Sequence, residues 1–75
     1  MELGSKVVWS RIKGEPRGSY SSSGVGTLMH YAVGGPLIVG GDLGLTSTAI
    51  QEIHEKENIL VIVTKNSVYE INEWK

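Results

Sequence analysis

The side chains best suited to binding chemistry lie in a glycine- and serine-rich stretch near the N-terminus. Between Lys13 and Gly26 the chain has four glycines, one proline and four serines, and no aliphatic residue precedes Val25. Glycine exposes backbone amides, and hydroxyl and guanidinium groups bind oxyanions, so a clamp for an anionic or polar ligand is one interpretation. A flexible connection over residues 13–24 is the other. The candidate ligand-binding residues in and beside this stretch are Arg11, Arg17, Tyr20, Ser21, Ser22 and Ser23.

Catalysis is not expected, because no carboxylate pair, Ser-His-Asp set or metal-ligand constellation stands out. A pairing of Asp42 with His30 or His54 stays open. The chain has no cysteine, so it has neither disulfides nor a thiolate metal site. We therefore expect a non-enzymatic protein without metal or cofactor, in which His30 makes an ordinary hydrogen bond.

The other glycines do not form a known phosphate-binding motif. Residues 34–44 contain five glycines but no Gly-Lys-Ser/Thr, and Gly24-Val-Gly26 lacks a third glycine because position 29 is Met. These glycines are interpreted as turns and sites of tight backbone packing.

The composition describes a small single domain, residues 1–75, with a net charge of −1. A domain of this length is only marginally stable as a monomer. Because the chain has no cysteines, association with another chain is the remaining way to stabilise it.

Residues 1–17 carry four cations and two anions, residues 18–41 carry no Asp, Glu, Lys or Arg, and residues 42–75 carry three cations and six anions. A nucleic-acid binder usually has a basic excess. The absence of a signal peptide or membrane span in the sequence favours a cytoplasmic protein without a membrane partner.

The stretch that organises the fold is Ile59–Ile71, which predicts a β-hairpin. Ile59–Val63 is aliphatic and mostly β-branched, Lys65-Asn66 supplies a turn, and residues 68–73 alternate. The first strand is apolar on two faces, which predicts either a homo-oligomer or a small closed barrel or sandwich. Further strands are predicted at Lys6–Ile12, with Trp9 as an anchor, and at Val25–Val33, and Leu37–Val39 is predicted to form a short edge strand or a bulged segment. In Leu45–Asn58 the local pattern slightly favours a helix, because Thr48-Ala-Ile-Gln51 matches a capping box.

Residues 45–71 resemble the C-terminal half of the tryptophan RNA-binding attenuation protein family. The shared features are Thr46-Ser47 before an Ile-bearing strand, a polar loop, a strand ending in Thr64-Lys65, and Val68-Tyr69-Glu70. Short phage and bacterial reading frames with a Thr-Ser and Asn-Ser-Val-Tyr pattern are also similar. The resemblance implies small antiparallel sheets joined in a ring with a ligand between subunits, a strand at Thr48–Ile53, and ligand-pocket positions at Thr46, Ser47 and Thr64.

The sequence therefore predicts an all-β fold, an antiparallel sheet, meander or sandwich of five to six strands that assembles into a homo-oligomer. The favoured function is capture of a polar or anionic small molecule, a nucleotide-type signal or an amino acid, between subunits, in one version by a phage-encoded sequestering protein. One alternative is a ring that binds RNA or other single-stranded nucleic acid through Lys13, Arg17 and Lys65. Another is a structural subunit of a phage assembly.

Overall fold

The computed structural model describes residues 1–14 and 22–74, and these residues form six β-strands and no helix. Each strand is antiparallel to the next, and β6 pairs with β1, so the sheet closes into an up-and-down barrel. The prediction of an all-β, antiparallel fold is confirmed, and six strands fall within the predicted five to six. The strands are β1 (Lys6–Lys13), β2 (Ser23–His30), β3 (Pro36–Gly40), β4 (Leu45–Lys56), β5 (Ile59–Thr64) and β6 (Val68–Glu73).

The β5–β6 hairpin forms where the sequence predicts it. Closure of the barrel explains much of the apolar character of both faces of its first strand, β5. On β5 the side chains of Leu60, Ile62 and Thr64 are buried, while those of Val61 and Val63 are partly buried on the opposite face. In a closed barrel one face of every strand lines the core and the other faces outward. The buried hydrophobic core consists of Val7, Trp9, Leu28, Leu37, Val39, Ile50, Leu60, Ile62, Tyr69 and Ile71.

The local helix signal in residues 45–58 is wrong, and the strand expected at Thr48–Ile53 is observed. The twelve residues of β4 pair with β3 on one side and with β5 on the other. The hydrogen bonds of these two ladders satisfy the backbone N–H and C=O groups along the strand. Tertiary pairing therefore overrides the local sequence signal for the start of a helix. The pairing shifts register between Ile50 and Glu52.

The boundaries of β2 and β3 differ from the predicted ones. The predicted strand Val25–Val33 begins earlier, at Ser23, and ends at His30. β3 is not an edge strand, because it pairs with both β2 and β4, but a register shift in each of these ladders agrees with the alternative prediction of a bulged segment. Pro36 is tolerated as its first residue, where the missing N–H costs least. Of the loop predicted at 13–24, Lys13 belongs to β1 and residues 23–24 to β2, and residues 15–21 lie outside the described part of the chain.

Candidate ligand site at the upper end of the barrel

Four segments meet at one end of the barrel because consecutive strands run in opposite directions. They are the end of β1, the start of β2, the turn at residues 41–44 and the turn at residues 65–67. We call this the upper end. No helix with the length and apolar character of a membrane span occurs in residues 1–14 and 22–74.

The turn at residues 41–44 folds over the upper end and is held there by a core residue. The indole Nε1 of Trp9 donates a hydrogen bond of 2.7 Å to the Leu43 carbonyl. Gly24 lies directly opposite Trp9 in the β1–β2 ladder, and a Cβ at this position would overlap the Leu43 carbonyl oxygen. A Cβ at Gly44 would likewise overlap the Val39 carbonyl oxygen. The expectation that these glycines serve tight backbone packing is confirmed.

Arg11 lies on the inner wall of the upper end, where two aromatic side chains position it. Its guanidinium carbon is 5.4 Å from the centroid of the Tyr69 ring, and Tyr69 packs edge-on against Trp9 at 6.4 Å between ring centroids. The Nε and Nη1 atoms of Arg11 are buried and have no hydrogen-bond partner among the described residues. The guanidinium is thus packed against an aromatic pair, and two of its nitrogens have no partner in the described part of the chain.

These residues surround a cavity of about 660 Å³. Its lining combines aromatic and aliphatic side chains with one cationic and one anionic residue, Arg11 and Asp42, among the described residues. Polar surface slightly exceeds apolar surface in this lining, so the cavity is more polar than a usual small-molecule site. The lining residues are Trp9, Arg11, Ser23, Ile38, Val39, Gly40, Gly41, Asp42, Leu43, Gly44, Leu45, Thr46 and Tyr69.

Three of the predicted ligand-binding residues, Arg11, Ser23 and Thr46, meet at this cavity. Ser22 is exposed beside it, and its carbonyl accepts a 2.7 Å hydrogen bond from the Arg11 backbone N–H. Arg17, Tyr20 and Ser21 are outside the described residues.

Two other predicted ligand-binding residues have structural hydrogen bonds and do not line the cavity. The Ser47 hydroxyl accepts a 2.9 Å bond from the Leu37 N–H and donates to the Thr48 carbonyl at 2.7 Å. Thr64 is buried, and its hydroxyl bonds to the backbone of Ser67 at 3.2 Å. These hydroxyls satisfy backbone groups at a strand start and at the β5–β6 turn.

The two described basic residues of the predicted nucleic-acid site also lie at the upper end. Lys13 ends β1 and pairs in register with Val68, and Lys65 is in the adjoining β5–β6 turn. Both side chains are exposed. A Cβ added at the intervening Gly14 would come within 2.6 Å of the Ser67 hydroxyl, which shows how closely the two segments approach.

The sequence did not identify Trp9, Asp42, Leu43 or Tyr69 as ligand-binding residues. The available signal was the spacing of glycines opposite Trp9 and around residue 42, which marks a close backbone approach. His30 does make an ordinary hydrogen bond, 2.7 Å from Nδ1 to the Pro36 carbonyl. In residues 1–14 and 22–74, no three His, Asp or Glu side chains are placed to share a metal ion.

At the opposite, lower end the barrel is covered by the first residues of the chain. Met1 and Tyr31 pack against the core, and the Tyr31 hydroxyl donates a 2.5 Å hydrogen bond to the Met1 carbonyl. Burial, reinforced by the negative charge of Glu55, raises the pKa of Tyr31 above its ordinary value of 10.0. The upper end therefore holds the cavity, and Met1 and Tyr31 pack against the core at the lower end.

No protein-family model, curated protein or solved structure matches the chain.

Proposed function

We propose that this protein is a non-enzymatic binding protein that captures a small anionic or polar molecule in the cavity at the upper end. The observation that carries the proposal is Arg11, whose Nε and Nη1 donors are buried beside the cavity without a partner among the described residues. A nucleotide-type signal or an amino acid has the required anionic group.

Leaving donors of a charged group buried and unpaired is unfavourable, by about 1–3 kcal/mol for a neutral donor and more for a charged one. Native proteins keep such groups mainly where a ligand, an ion or water completes them. An oxyanion placed against Arg11 would supply the missing acceptors. The Tyr69 ring would hold the guanidinium in place before the ligand arrives, which lowers the entropy cost of binding.

The volume of the cavity supports a small molecule as the ligand. Small-molecule sites usually occupy about 300–1,000 Å³. The cavity of about 660 Å³ falls within this range. Its aliphatic wall would cover the body of the ligand, while Arg11 binds its anionic group and Ser23 and Thr46 supply hydroxyls.

Self-association remains part of the proposal, but the cavity does not depend on it, because all its lining residues come from one chain. With β1 paired to β6, the described barrel has no free strand edge. Copies would therefore associate through outer faces or barrel ends. A phage protein that sequesters a signal molecule is one concrete form of this function.

Native mass spectrometry of protein purified without added ligand, followed by calorimetry with a panel of nucleotides and amino acids, tests the proposal. We expect a bound small molecule or binding heat that Arg11→Gln abolishes. Lys13→Gln is the matched control, because it removes the same charge from an exposed residue at the same end. Absence of any ligand in either measurement, or equal binding by both variants, would contradict the proposal.

Binding of single-stranded RNA is the second candidate, and the position of Lys13 and Lys65 on adjoining segments favours it. Phosphate contacts by exposed lysines give binding that weakens steeply with salt. Here Lys13→Gln and Lys65→Gln would each weaken retention of the RNA, whereas Arg11→Gln would have little effect. The two functions thus predict opposite orders for the same set of variants.

A further inference from the structure

We propose that the turn at residues 41–44 is a gate over the upper-end cavity, hinged at Gly40 and Gly41 and held closed by the indole of Trp9. This inference rests on the proposed function, because it describes how a ligand reaches the cavity. All the residues of the turn line the cavity. Outward movement of the turn would therefore widen the opening.

The turn is attached to the barrel by few interactions. The β3–β4 ladder ends at the pair Val39–Leu45, so the turn lies beyond it. The side chains of Asp42 and Leu43 are exposed, that of Leu43 by 57%, and neither belongs to the core. Among the described residues, the side-chain hydrogen bond that reaches the turn is the 2.7 Å bond from Trp9 to the Leu43 carbonyl. Segments with few buried contacts are the ones that open most readily.

Two glycines where β3 meets the turn provide the hinge. Gly41 has φ of 114°, a conformation that suits glycine. Gly40 is different, because its φ is not positive and an added Cβ would meet the flexible Met29 side chain at 3.3 Å. The closed structure does not require glycine at this position, so Gly40 serves the open conformation, in which the backbone rotates here. The Gly44 N–H donates a 3.1 Å hydrogen bond to the Gly41 carbonyl, which preserves the shape of the turn as it moves.

The turn at residues 65–67, at the same end of the barrel, is a fixed counterpart. It contains no glycine, and three hydrogen bonds join the residues on its two sides. The Thr64 N–H and hydroxyl donate to the Ser67 carbonyl at 2.9 and 3.2 Å, and the Ser67 N–H donates to the Thr64 hydroxyl at 3.2 Å. The contrast predicts opening in the turn at 41–44 and none in the turn at 65–67 of the same molecule.

Two variants change the gate in opposite directions. Trp9→Phe removes the hydrogen-bond donor and keeps an aromatic ring against Tyr69. The net contribution of one hydrogen bond corresponds to about two- to tenfold in an equilibrium, so we expect the open population to rise by this factor. Gly40→Ala restricts the backbone at the hinge, and we expect opening to become about two- to fivefold rarer. The control is Asn66→Ala, a change at an exposed position of the fixed turn, which should leave the gate unaffected.

Nitrogen-15 relaxation dispersion detects opening on the microsecond-to-millisecond timescale in the protein without ligand. We expect exchange at the amides of Asp42 and Leu43 and none at those of Asn66 and Ser67. Hydrogen exchange of the Trp9 indole N–H is the second measurement, because this group is freed from its acceptor when the turn opens. We expect its exchange rate to fall about two- to fivefold in Gly40→Ala and to stay unchanged in Asn66→Ala.

A turn at 41–44 as rigid as the turn at 65–67 would overturn the inference. So would an indole exchange rate in Gly40→Ala equal to that of the wild type, or unchanged dispersion in a folded Trp9→Phe. The amide signals of the fixed turn report whether Trp9→Phe is folded. If it is not, the Gly40→Ala result decides the test alone.

The inference and the proposed function fail in different ways. If mass spectrometry or calorimetry finds a ligand and the turn at 41–44 does not open, the gate is wrong and the binding function stands. If the turn opens and neither method finds a ligand, the hinge motion stands and the binding function is wrong.

Discussion

Arg11 and Asp42 both line the cavity and carry opposite charges. An anion held by Arg11 would be repelled by the Asp42 carboxylate, more strongly when the anion carries two charges. We expect Asp42→Asn to increase the affinity for inorganic phosphate by about two- to fivefold and for acetate by less. Titration by NMR or calorimetry measures both values.

Glu57→Gln is the control for Asp42→Asn, because Glu57 is an exposed carboxylate in the β4–β5 turn at the lower end. It changes the net charge equally but lies far from the cavity. Equal effects of the two variants would show that the gain comes from net charge and not from Asp42.

Gly24 allows the turn at residues 41–44 to reach the Trp9 indole. In Gly24→Ala the new methyl group would overlap the Leu43 carbonyl and come within 2.9 Å of the Trp9 Nε1. Forcing an extra methyl group into a packed site costs about 1–3 kcal/mol, so we expect a loss of this size in the free energy of unfolding. Urea denaturation followed by tryptophan fluorescence measures it.

Gly40→Ala is the matched control, because the added methyl group there would meet the flexible Met29 side chain at 3.3 Å. We expect its stability to stay within about 1 kcal/mol of wild type. If Gly24→Ala is no more destabilising than Gly40→Ala, the close approach of the turn to β2 has no energetic importance.

At the scale of elements, alternation of residue types predicted the strands that have one apolar face and failed where local signals conflicted with pairing. In β1, Val7 and Trp9 are buried as the alternation indicates, and in β6 Tyr69 and Ile71 are. The conformation of β4 could not be predicted from local sequence, because its exposed positions carry good helix formers. Its strand conformation is determined by pairing with β3 and β5. The resemblance indicated the strand where propensity did not.

The β4–β5 turn contains a residue in an unfavourable backbone conformation. Glu57 has φ of 54°, and it is the one non-glycine residue with positive φ among those described. The left-handed conformation costs an ordinary residue about 1–2 kcal/mol, and glycine avoids this cost while losing about 0.5–1 kcal/mol of chain entropy. We expect Glu57→Gly to raise the free energy of unfolding by about 0.5–1 kcal/mol, measured by urea denaturation.

Asn58→Gly tests the reason for that gain. Asn58 is the other residue of the turn, and it is not among the positive-φ positions. The entropic cost of glycine then has no compensation, so we expect no gain or a small loss. A similar increase in both variants would attribute the effect to general loosening of the turn.

For the whole molecule, the decisive pairing is the one between the first and last strands. Trp9 lies opposite Ile71 and Arg11 opposite Tyr69. These paired residues are far apart in the sequence, so no local sequence pattern encodes their pairing. Arg11, Ser23 and Thr46 could be chosen from residue type alone, but the aromatic support of Arg11 and the approach of Leu43 could not. The cavity exists because closure brings β1, β3 and β6 around one opening.

Closure also determines which surfaces can associate. Residues 22–41 carry no Asp, Glu, Lys or Arg, and the outer face of β2 presents Val25, Thr27 and the 54% exposed Met29. Val8 of β1 is paired with Val25 beside them. By contrast, the outer face of β5 lies between strands that carry Glu52, His54, Lys56 and Glu70. Lys6, opposite Thr27, is the one charged residue of β1 paired with this face, so two copies that meet across Val8, Val25 and Met29 would desolvate fewer charges than at the β5 face, which favours the β2 face for self-association.

Met29→Lys tests association through the β2 face. It places an unpaired ammonium where copies would meet, and the cost of burying that charge is several kcal/mol, enough to dissociate a weak assembly. We expect the wild-type protein to sediment faster as concentration rises and Met29→Lys to sediment as a monomer. Gln51→Lys adds the same charge at an exposed position of β4 and should behave as wild type. Identical behaviour of the two variants would exclude this face, and a wild-type monomer at every concentration would mean that the upper-end cavity acts in a single barrel.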